Sequence, residues 1–143
     1  YANNYYVAYC IEPGVELGNQ GGHGGTSYTI DEMEDGSGAM YRLSREKVLA
    51  IGVALMYGQR EIASKKDEQA LRYEKLCRHA ATQAIIWELA CGWRSPTPPY
   101  PQLNSTLYDA ITPALYCASS VWGTNFYLDG MDDAYRDIEA KMA

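Results

Sequence analysis

The clearest pattern of hydrophobic and polar positions runs from about Asp67 to Cys91. Apolar residues recur there at the three- and four-residue spacing that places side chains on one face of a helix. Gly92 follows directly and is a natural helix stop, so the pattern predicts one long helix. The apolar stripe of this helix consists of Tyr73, Cys77, Ala80, Ala84, Trp87 and Cys91.

Two shorter helices are predicted on either side of the long one. Ser44 is a good N-cap for a helix over Val48–Tyr57, which Gly58 ends. Its apolar positions are Val48, Ile51, Leu55 and Met56. A last amphipathic helix is predicted over Asp132–Met142, with Met131, Tyr135, Ile138 and Met142 on one side.

Strand patterns are short and few. Tyr5–Ile11 alternates loosely and is rich in residues that favour strands, and Tyr28–Ile30 predicts a second short strand. A weaker strand pattern lies at Asn125–Leu128. The prolines of Ser95–Pro101 predict a rigid extended linker. The chain is therefore predicted to be helix-rich with a minority of strand.

Gln83 is an unusual residue for its place in the long helix. Its neighbours on the same face, Leu76, Ala80 and Trp87, are apolar, so the glutamine is predicted to point toward the buried side. A buried carboxamide needs hydrogen-bond partners. Far upstream, Cys10 lies in the first strand pattern. A thiol and a carboxamide are thus both candidates for the core.

The residues around Cys10 and Gln83 form two motifs. The first is the run Tyr9–Gly14, YCIEPG in one-letter code, and the second is Thr82–Trp87, TQAIIW. In this order they resemble the thioester domains of Gram-positive surface adhesins and pilus-tip proteins. The resemblance implies that the Cys10 sulfur and the Gln83 side-chain carbonyl form an internal thioester.

The resemblance also implies a fold and a function. The expected fold is α+β, a single domain over residues 1–143 with a helical part packed on a small β-sandwich or barrel and the thioester at their junction. The expected function is covalent attachment of a bacterium to a host surface or matrix protein through a lysine amine. The reaction would occur once, so the domain is not expected to be an enzyme.

The remaining expectations from the resemblance concern setting and partners. The domain is expected to be extracellular, on the bacterial cell surface, and anchored in the cell wall through regions outside this chain. It is expected to be a monomer that needs no cofactor and no metal. No signal peptide, sorting motif or tag is recognised, so the chain is interpreted as a trimmed mature fragment.

Five residues near the pair are candidates for supporting roles. Tyr9, Thr82 and Ile86 are motif neighbours, and Trp87, one turn after Gln83, is expected to wall the pocket or simply to pack in the core. His79 lies four residues before Gln83, about 6 Å along the helix, and is a candidate to assist. Because a charged residue stands beside it, the sequence favours a solvated position for His79.

Composition narrows the classes of partner. The net charge of −6 and a pI near 4.8 exclude a typical binder of nucleic acid or of anionic membranes, which needs a basic face. The longest apolar run, around Val53–Met56, is far too short to insert across a bilayer. One hundred and forty-three residues are sufficient for one domain with its own core.

The four cysteines keep two other functions open. They fit an exported protein with two disulfides, which would make the chain a stapled, non-covalent binding module. A cysteine hydrolase would instead need a histidine within hydrogen-bond reach of Cys10, and His79 is the one plausible base. The consensus sequence around a cysteine-protease nucleophile is absent.

A disulfide between Cys77 and Cys117 is predicted if Cys10 is committed to a thioester. Cys77 and Cys91 lie too far apart along one helix to bond to each other. If the proline-rich linker turns the chain into an antiparallel helix beginning near Leu103, Cys117 reaches the level of Cys77. A kink at Pro113 would make Cys91 the competing partner, and buried thiols without any disulfide are the further alternative.

Overall fold

The computed structural model describes residues 9, 11, 29–35, 43–59, 67–104 and 127–143. Within these ranges the chain forms α1 (Ile30–Asp35), α2 (Arg45–Gly58), α3 (Glu68–Ala90) and α4 (Tyr127–Met142). The long helix α3 is central, because α2 and α4 both pack along it and also contact each other. The short helix α1 packs against α2.

The predicted long helix is confirmed almost to the residue. Asp67 caps its start, with a side-chain oxygen that accepts a hydrogen bond from the backbone N–H of Ala70 at 2.8 Å. At the other end, Cys91 is the C-cap and Gly92 follows with a φ of 78°. Glycine adopts this left-handed conformation without steric cost, which explains why the helix ends there.

The helix α2 is also confirmed, with Ser44 as its N-cap, but the face that it buries is not the expected one. Its buried residues are the small ones, Ala50, Ala54 and Gly58, whereas Met56 is 60% exposed. Small side chains permit close approach to α3, which presents alanines in return. The core alanines of α3 are Ala80, Ala81 and Ala84.

The helix α4 begins earlier than predicted, at Tyr127, and buries the predicted face. Met131, Tyr135 and Ile138 are fully buried, and Met142 is nearly so. They pack with Ile85, Leu89 and the alanines of α2 and α3 in one hydrophobic core. The pattern of apolar positions on α4 was therefore a correct guide to its packing.

The segment between α3 and residue 104 is a closed turn and not the extended linker that was predicted. An isolated antiparallel bridge joins Arg94 to Gln102. The N–H of Leu103 donates to the carbonyl oxygen of Trp93 at 2.7 Å, and that of Ser95 donates to Pro101 at 2.9 Å. The chain thus returns to the end of α3 after the prolines.

The predicted α+β fold is wrong, because the described residues are mainly helical and contain neither a sheet nor a barrel. Ile30, assigned to a strand from its β-branched side chain, begins α1. The hydroxyl of Thr29 accepts a hydrogen bond from the N–H of Glu32 at 3.2 Å. Acidic residues in the first turn also favour the helix. Tyr127 and Leu128, the end of the weaker strand pattern, belong to α4.

Candidate functional site

Gln83 lies in the most deeply enclosed part of α3. The residue is 7% exposed, and its neighbours Thr82 and Ile86 are 0% and 1% exposed. The sequence-based expectation that Gln83 is buried is therefore confirmed. Its partner in the predicted thioester, Cys10, lies outside the described residues, so the bond between them stays a prediction.

Tyr9, the residue that precedes Cys10, lies against α3 at His79 and Thr82. Its ring stacks on His79, with 4.5 Å between the ring centroids and 17° between the planes. Its hydroxyl hydrogen-bonds with the side chains of Thr82 and Gln59. Burial raises the pKa of Tyr9, although these hydrogen bonds oppose the shift, so the phenol is neutral at physiological pH. Tyr9 is thus held on α3 at this point.

His79 does not occupy the solvated position that the sequence favoured. It is half-buried beneath the Tyr9 ring, and burial alone lowers the pKa of its imidazole. The neighbouring Arg78, taken as a sign of solvation, is itself buried. Its guanidinium donates to the carbonyl oxygen of Tyr57 at 2.6 Å and to Asp137 at 2.9 Å. Arg78 therefore ties α3 to both α2 and α4.

Thr82 packs directly against Gly58 at the contact between α2 and α3. Its hydroxyl donates to the carbonyl oxygen of Arg78 at 2.7 Å within α3. A Cβ atom added at Gly58 would lie only 2.6 Å from Cγ2 of Thr82. Glycine at position 58 is therefore needed for the helices to meet here. The contact supports α3 at the residue directly before Gln83.

Trp87 follows Gln83 by one helical turn and is partly buried against the core. Its indole N–H is buried and has no hydrogen-bond partner among the described residues. A buried donor without a partner is uncommon, because leaving it unpaired costs roughly 1–3 kcal/mol. The packing role expected for Trp87 is confirmed, while its role as a wall of a reactive pocket stays a prediction.

Cys77 lies on a different face of α3, toward α4. It is buried, and a Cβ at Gly130 would lie 2.8 Å from its sulfur. Burial raises the pKa of the Cys77 thiol. Because Cys117 lies outside the described residues, the Cys77–Cys117 disulfide stays a prediction. A cavity of about 360 Å³ adjoins Cys77, lined also by Tyr73, Glu74, Arg78, Gly130, Asp133, Ala134 and Asp137.

A cluster of buried charges at the C-terminal end of α3 was not anticipated. Glu88 and Arg94 are almost completely buried. The hydroxyl of Tyr135 donates to Glu88 at 2.8 Å, and Arg94 donates to Glu139 at 2.7 Å and to the carbonyl oxygen of Tyr100 at 2.8 Å. The charged cluster, as we call it below, consists of Glu88, Arg94, Gln102, Tyr135 and Glu139.

The pKa values in the charged cluster reflect burial and mutual charge. Burial raises the pKa of Glu88, while Arg94 and the donors Gln102 and Tyr135 act to lower it. Burial and the Glu88 carboxylate together raise the pKa of Tyr135 far above its usual range. The one sequence signal for this cluster was Glu88, a charged residue within an apolar part of α3.

Comparison of the chain with protein-family models, curated proteins and solved structures finds no match. In the part of the chain that the structure describes, no group of three or more His, Cys, Asp and Glu residues is arranged to hold a metal ion. Among the same residues, every helix is too short or too polar to cross a membrane.

Proposed function

We propose that this chain is a surface adhesin domain in which Cys10 and Gln83 form an internal thioester that bonds covalently to amines. The observation that carries the proposal is the position of Tyr9. This residue precedes Cys10 and contacts His79 and Thr82, the residues one turn before and directly before Gln83. Consecutive Cα atoms are about 3.8 Å apart, so the position of Tyr9 is consistent with a bond between Cys10 and Gln83.

The surroundings of Gln83 suit a stored thioester. A thioester in water is hydrolysed, so it persists only where water is excluded. The low exposure of Thr82, Gln83 and Ile86 provides such a setting. The nearby side chains of Tyr9 and His79 carry no formal charge at neutral pH. Burial raises the pKa of the Tyr9 phenol and lowers the pKa of the His79 imidazole.

Holding the two groups together supplies the reactivity that they lack in solution. A cysteine thiol is mostly protonated at pH 7, and a carboxamide is a poor electrophile. Holding the thiol and the carboxamide in a fixed attack geometry makes their reaction intramolecular. The effective molarity of a well-oriented intramolecular reaction reaches about 10⁵–10⁸ M. The thiol attacks the side-chain carbonyl carbon of Gln83 and ammonia leaves. The product is an electrophile that reacts once, without turnover.

The proposed target is a lysine amine on a host surface or matrix protein. Lysine, with a pKa near 10.4, is neutral in only roughly one molecule in 2,500 at pH 7. An arbitrary lysine therefore reacts slowly, and selectivity requires docking that positions one amine. The proposed location is the bacterial cell surface, with attachment through regions outside this chain.

The intact mass of the untreated protein tests this function directly. A thioester gives a mass lower by one ammonia, two disulfides give the loss of hydrogens only, and a free catalytic thiol gives neither. Methylamine should then add to Gln83 and release a thiol at Cys10. Peptide mapping after the reaction identifies both positions.

Two variants and one control make the test specific. Cys10→Ala and Gln83→Ala should each abolish methylamine addition completely, because each lacks one half of the thioester. Cys91→Ala removes a cysteine at the C-cap of α3 and should react as the unmodified protein does. An adduct retained in Cys10→Ala or Gln83→Ala would show that the assigned pair is wrong.

A further inference from the structure

His79 is placed to take part in chemistry at Gln83. The two residues are four positions apart on α3, so their side chains lie on the same face with Cβ atoms about 5–6 Å apart. One face of the imidazole is covered by the ring of Tyr9, at 4.5 Å between centroids. The stacked ring restricts the rotamers of His79, which thus lies between Tyr9 and the rest of the α3 face that carries Gln83.

The hydrogen bonding of His79 differs from that of a structural histidine. The stack with Tyr9 is its one recorded interaction, and neither imidazole nitrogen bonds to any of the described residues. A neutral imidazole has one nitrogen that accepts a proton and one that donates. Since no described residue engages either nitrogen, both can serve the reacting groups in the proposal below.

The charged groups around His79 leave it neutral at physiological pH. Burial is the one cause that lowers its pKa, and no carboxylate opposes it. The group facing it from the N-terminal segment is the neutral phenol of Tyr9, and α2 contributes the uncharged Gln59. On α3, Lys75 lies one turn earlier, and Arg78 is engaged by Asp137 of α4.

We propose that His79 is a catalytic residue that carries the proton during acyl exchange at Gln83. When an amine attacks, its nitrogen bonds to the side-chain carbonyl carbon of Gln83 and the bond from that carbon to the Cys10 sulfur breaks. The nitrogen gives its proton to the imidazole, and the imidazolium gives the proton to the departing sulfur. Atoms and charge balance without any further reactant. This inference rests on the proposed thioester.

The same proton path serves formation of the thioester. Formation is the reverse exchange at the same carbon: the Cys10 thiol attacks, its proton passes through His79, and the nitrogen leaves as ammonia. Because the two reactions are one exchange read in opposite directions, a group that accelerates aminolysis accelerates formation as well. A histidine with a pKa below the working pH is the appropriate carrier for both.

Replacing His79 by Phe and by Gln tests the inference. His79→Phe keeps an aromatic ring to stack on Tyr9, whereas His79→Gln keeps polarity and loses the ring. We expect both variants to take up methylamine about 100-fold more slowly, which is the lower part of the range for general acid–base catalysis. The control is Lys75→Gln, one turn away and exposed, which should react at the original rate.

The pH profile and chemical rescue separate proton transfer from a structural role. After correction for the fraction of neutral methylamine, the rate for the original protein should fall at low pH as His79 becomes protonated. The variants should lose that fall, and added imidazole should restore part of their rate. If a variant does not form its thioester, rescue is measured on formation itself, by the loss of ammonia upon addition of imidazole.

Each outcome decides the inference. Unchanged rates and an unchanged pH profile in His79→Phe would overturn it, and so would a folded variant that imidazole does not rescue. In both cases, an ammonia-deficient mass for the original protein would leave the proposed function standing. An original protein that has lost no ammonia would overturn the proposed function and this inference together.

Discussion

Two regions of α3 bury polar side chains in different ways. Around Gln83 the side chains of Tyr9, His79 and Gln59 meet through a ring stack and a hydrogen bond, and the buried cation Arg78 is paired with the half-exposed Asp137 of α4. In the charged cluster, which begins five residues further on, Glu88 and Arg94 are buried against each other and are bonded by Gln102, Tyr135 and Glu139. The second region therefore buries both members of an ion pair, and the first does not.

The difference between the regions corresponds to a difference in role. A buried ion pair that is also hydrogen-bonded to several elements fixes the relative positions of those elements. The charged cluster joins the end of α3, the following turn and α4 in this way. Around Gln83 the contacts of Tyr9 with His79, Thr82 and Gln59 are instead a ring stack and neutral hydrogen bonds. Under the proposed function, the first region serves the reaction, and the second serves stability.

The largest effect on stability is expected from Arg94→Ala. The substitution leaves Glu88, which is 0% exposed, without its charge partner, and it removes hydrogen bonds to Tyr100 and Glu139. Breaking a buried pair in this way costs about 3–5 kcal/mol. Urea denaturation monitored by circular dichroism measures the change in the free energy of unfolding.

The matched control for Arg94 is Arg72→Ala. Arg72 forms an exposed pair with Glu68 on the same helix, at 3.3 Å, and such pairs contribute about 0.3–0.5 kcal/mol. Equal losses in the two arginine variants would contradict the role assigned to the charged cluster. A double variant, Glu88→Met with Arg94→Met, should recover much of the stability, because no uncompensated charge is then buried.

A smaller effect is expected from Gly58→Ala, on the other region. The added methyl group overlaps the side chain of Thr82, so α2 and α3 must separate. Overpacking of this kind costs about 1–3 kcal/mol. Because Thr82 directly precedes Gln83, we also expect slower methylamine addition.

Gly52→Ala is the control for Gly58. Gly52 is exposed on the same helix, and a Cβ there meets no atom within 4 Å. Replacing glycine by alanine in an open helical position stabilises a protein by about 0.4–1 kcal/mol. The two alanine variants should therefore change the melting temperature in opposite directions. A lower melting temperature in both alanine variants would show that helix α2 does not pack as described.

The sequence predicted the helices better than it predicted their packing or the charged cluster. The caps at Ser44 and Asp67 and the stop at Gly92 are local signals, so the bounds of α2 and α3 were close to correct. The buried face of α2 was missed because alanine and glycine add little to a hydrophobic pattern. Met56, the more hydrophobic residue, is exposed.

Contacts between distant segments set the limit of the sequence-based reasoning. The burial of Gln83 followed from its apolar neighbours on one helix, which is local information. The stacking of Tyr9 on His79 and the pairing of Glu88 with Tyr135 join residues far apart in the chain, and no periodicity reports such pairs. The strand predicted over Tyr28–Ile30 was wrong at Ile30 because a capping threonine and acidic residues outweighed the strand preference of these side chains.

The smallest effect is expected in the pH dependence of stability, where the two regions act with opposite signs. Burial lowers the pKa of His79 from 6.5, so the unfolded chain takes up a proton first as the pH falls. The stability contributed by neutral His79 is complete above about pH 6.5 and is lost as the pH falls through its folded pKa. Burial raises the pKa of Glu88 from 4.5, so the native state is protonated first, and stability falls as the pH rises through its folded pKa.

Two variants separate these contributions in urea denaturation between pH 4.5 and pH 7.5. Relative to the original protein, His79→Gln should be more stable at the acidic end of this range than at the neutral end, because it has no imidazole to protonate. Glu88→Gln should show the reverse, gaining on the original protein as the pH rises, because it has no buried carboxylate to ionise. Parallel stability curves for His79→Gln and the original protein would show that His79 is as solvated in the folded chain as in the unfolded one. The stack with Tyr9 would then not persist in solution, and Tyr9 would be held beside Gln83 only through the hydrogen bonds of its hydroxyl with Thr82 and Gln59.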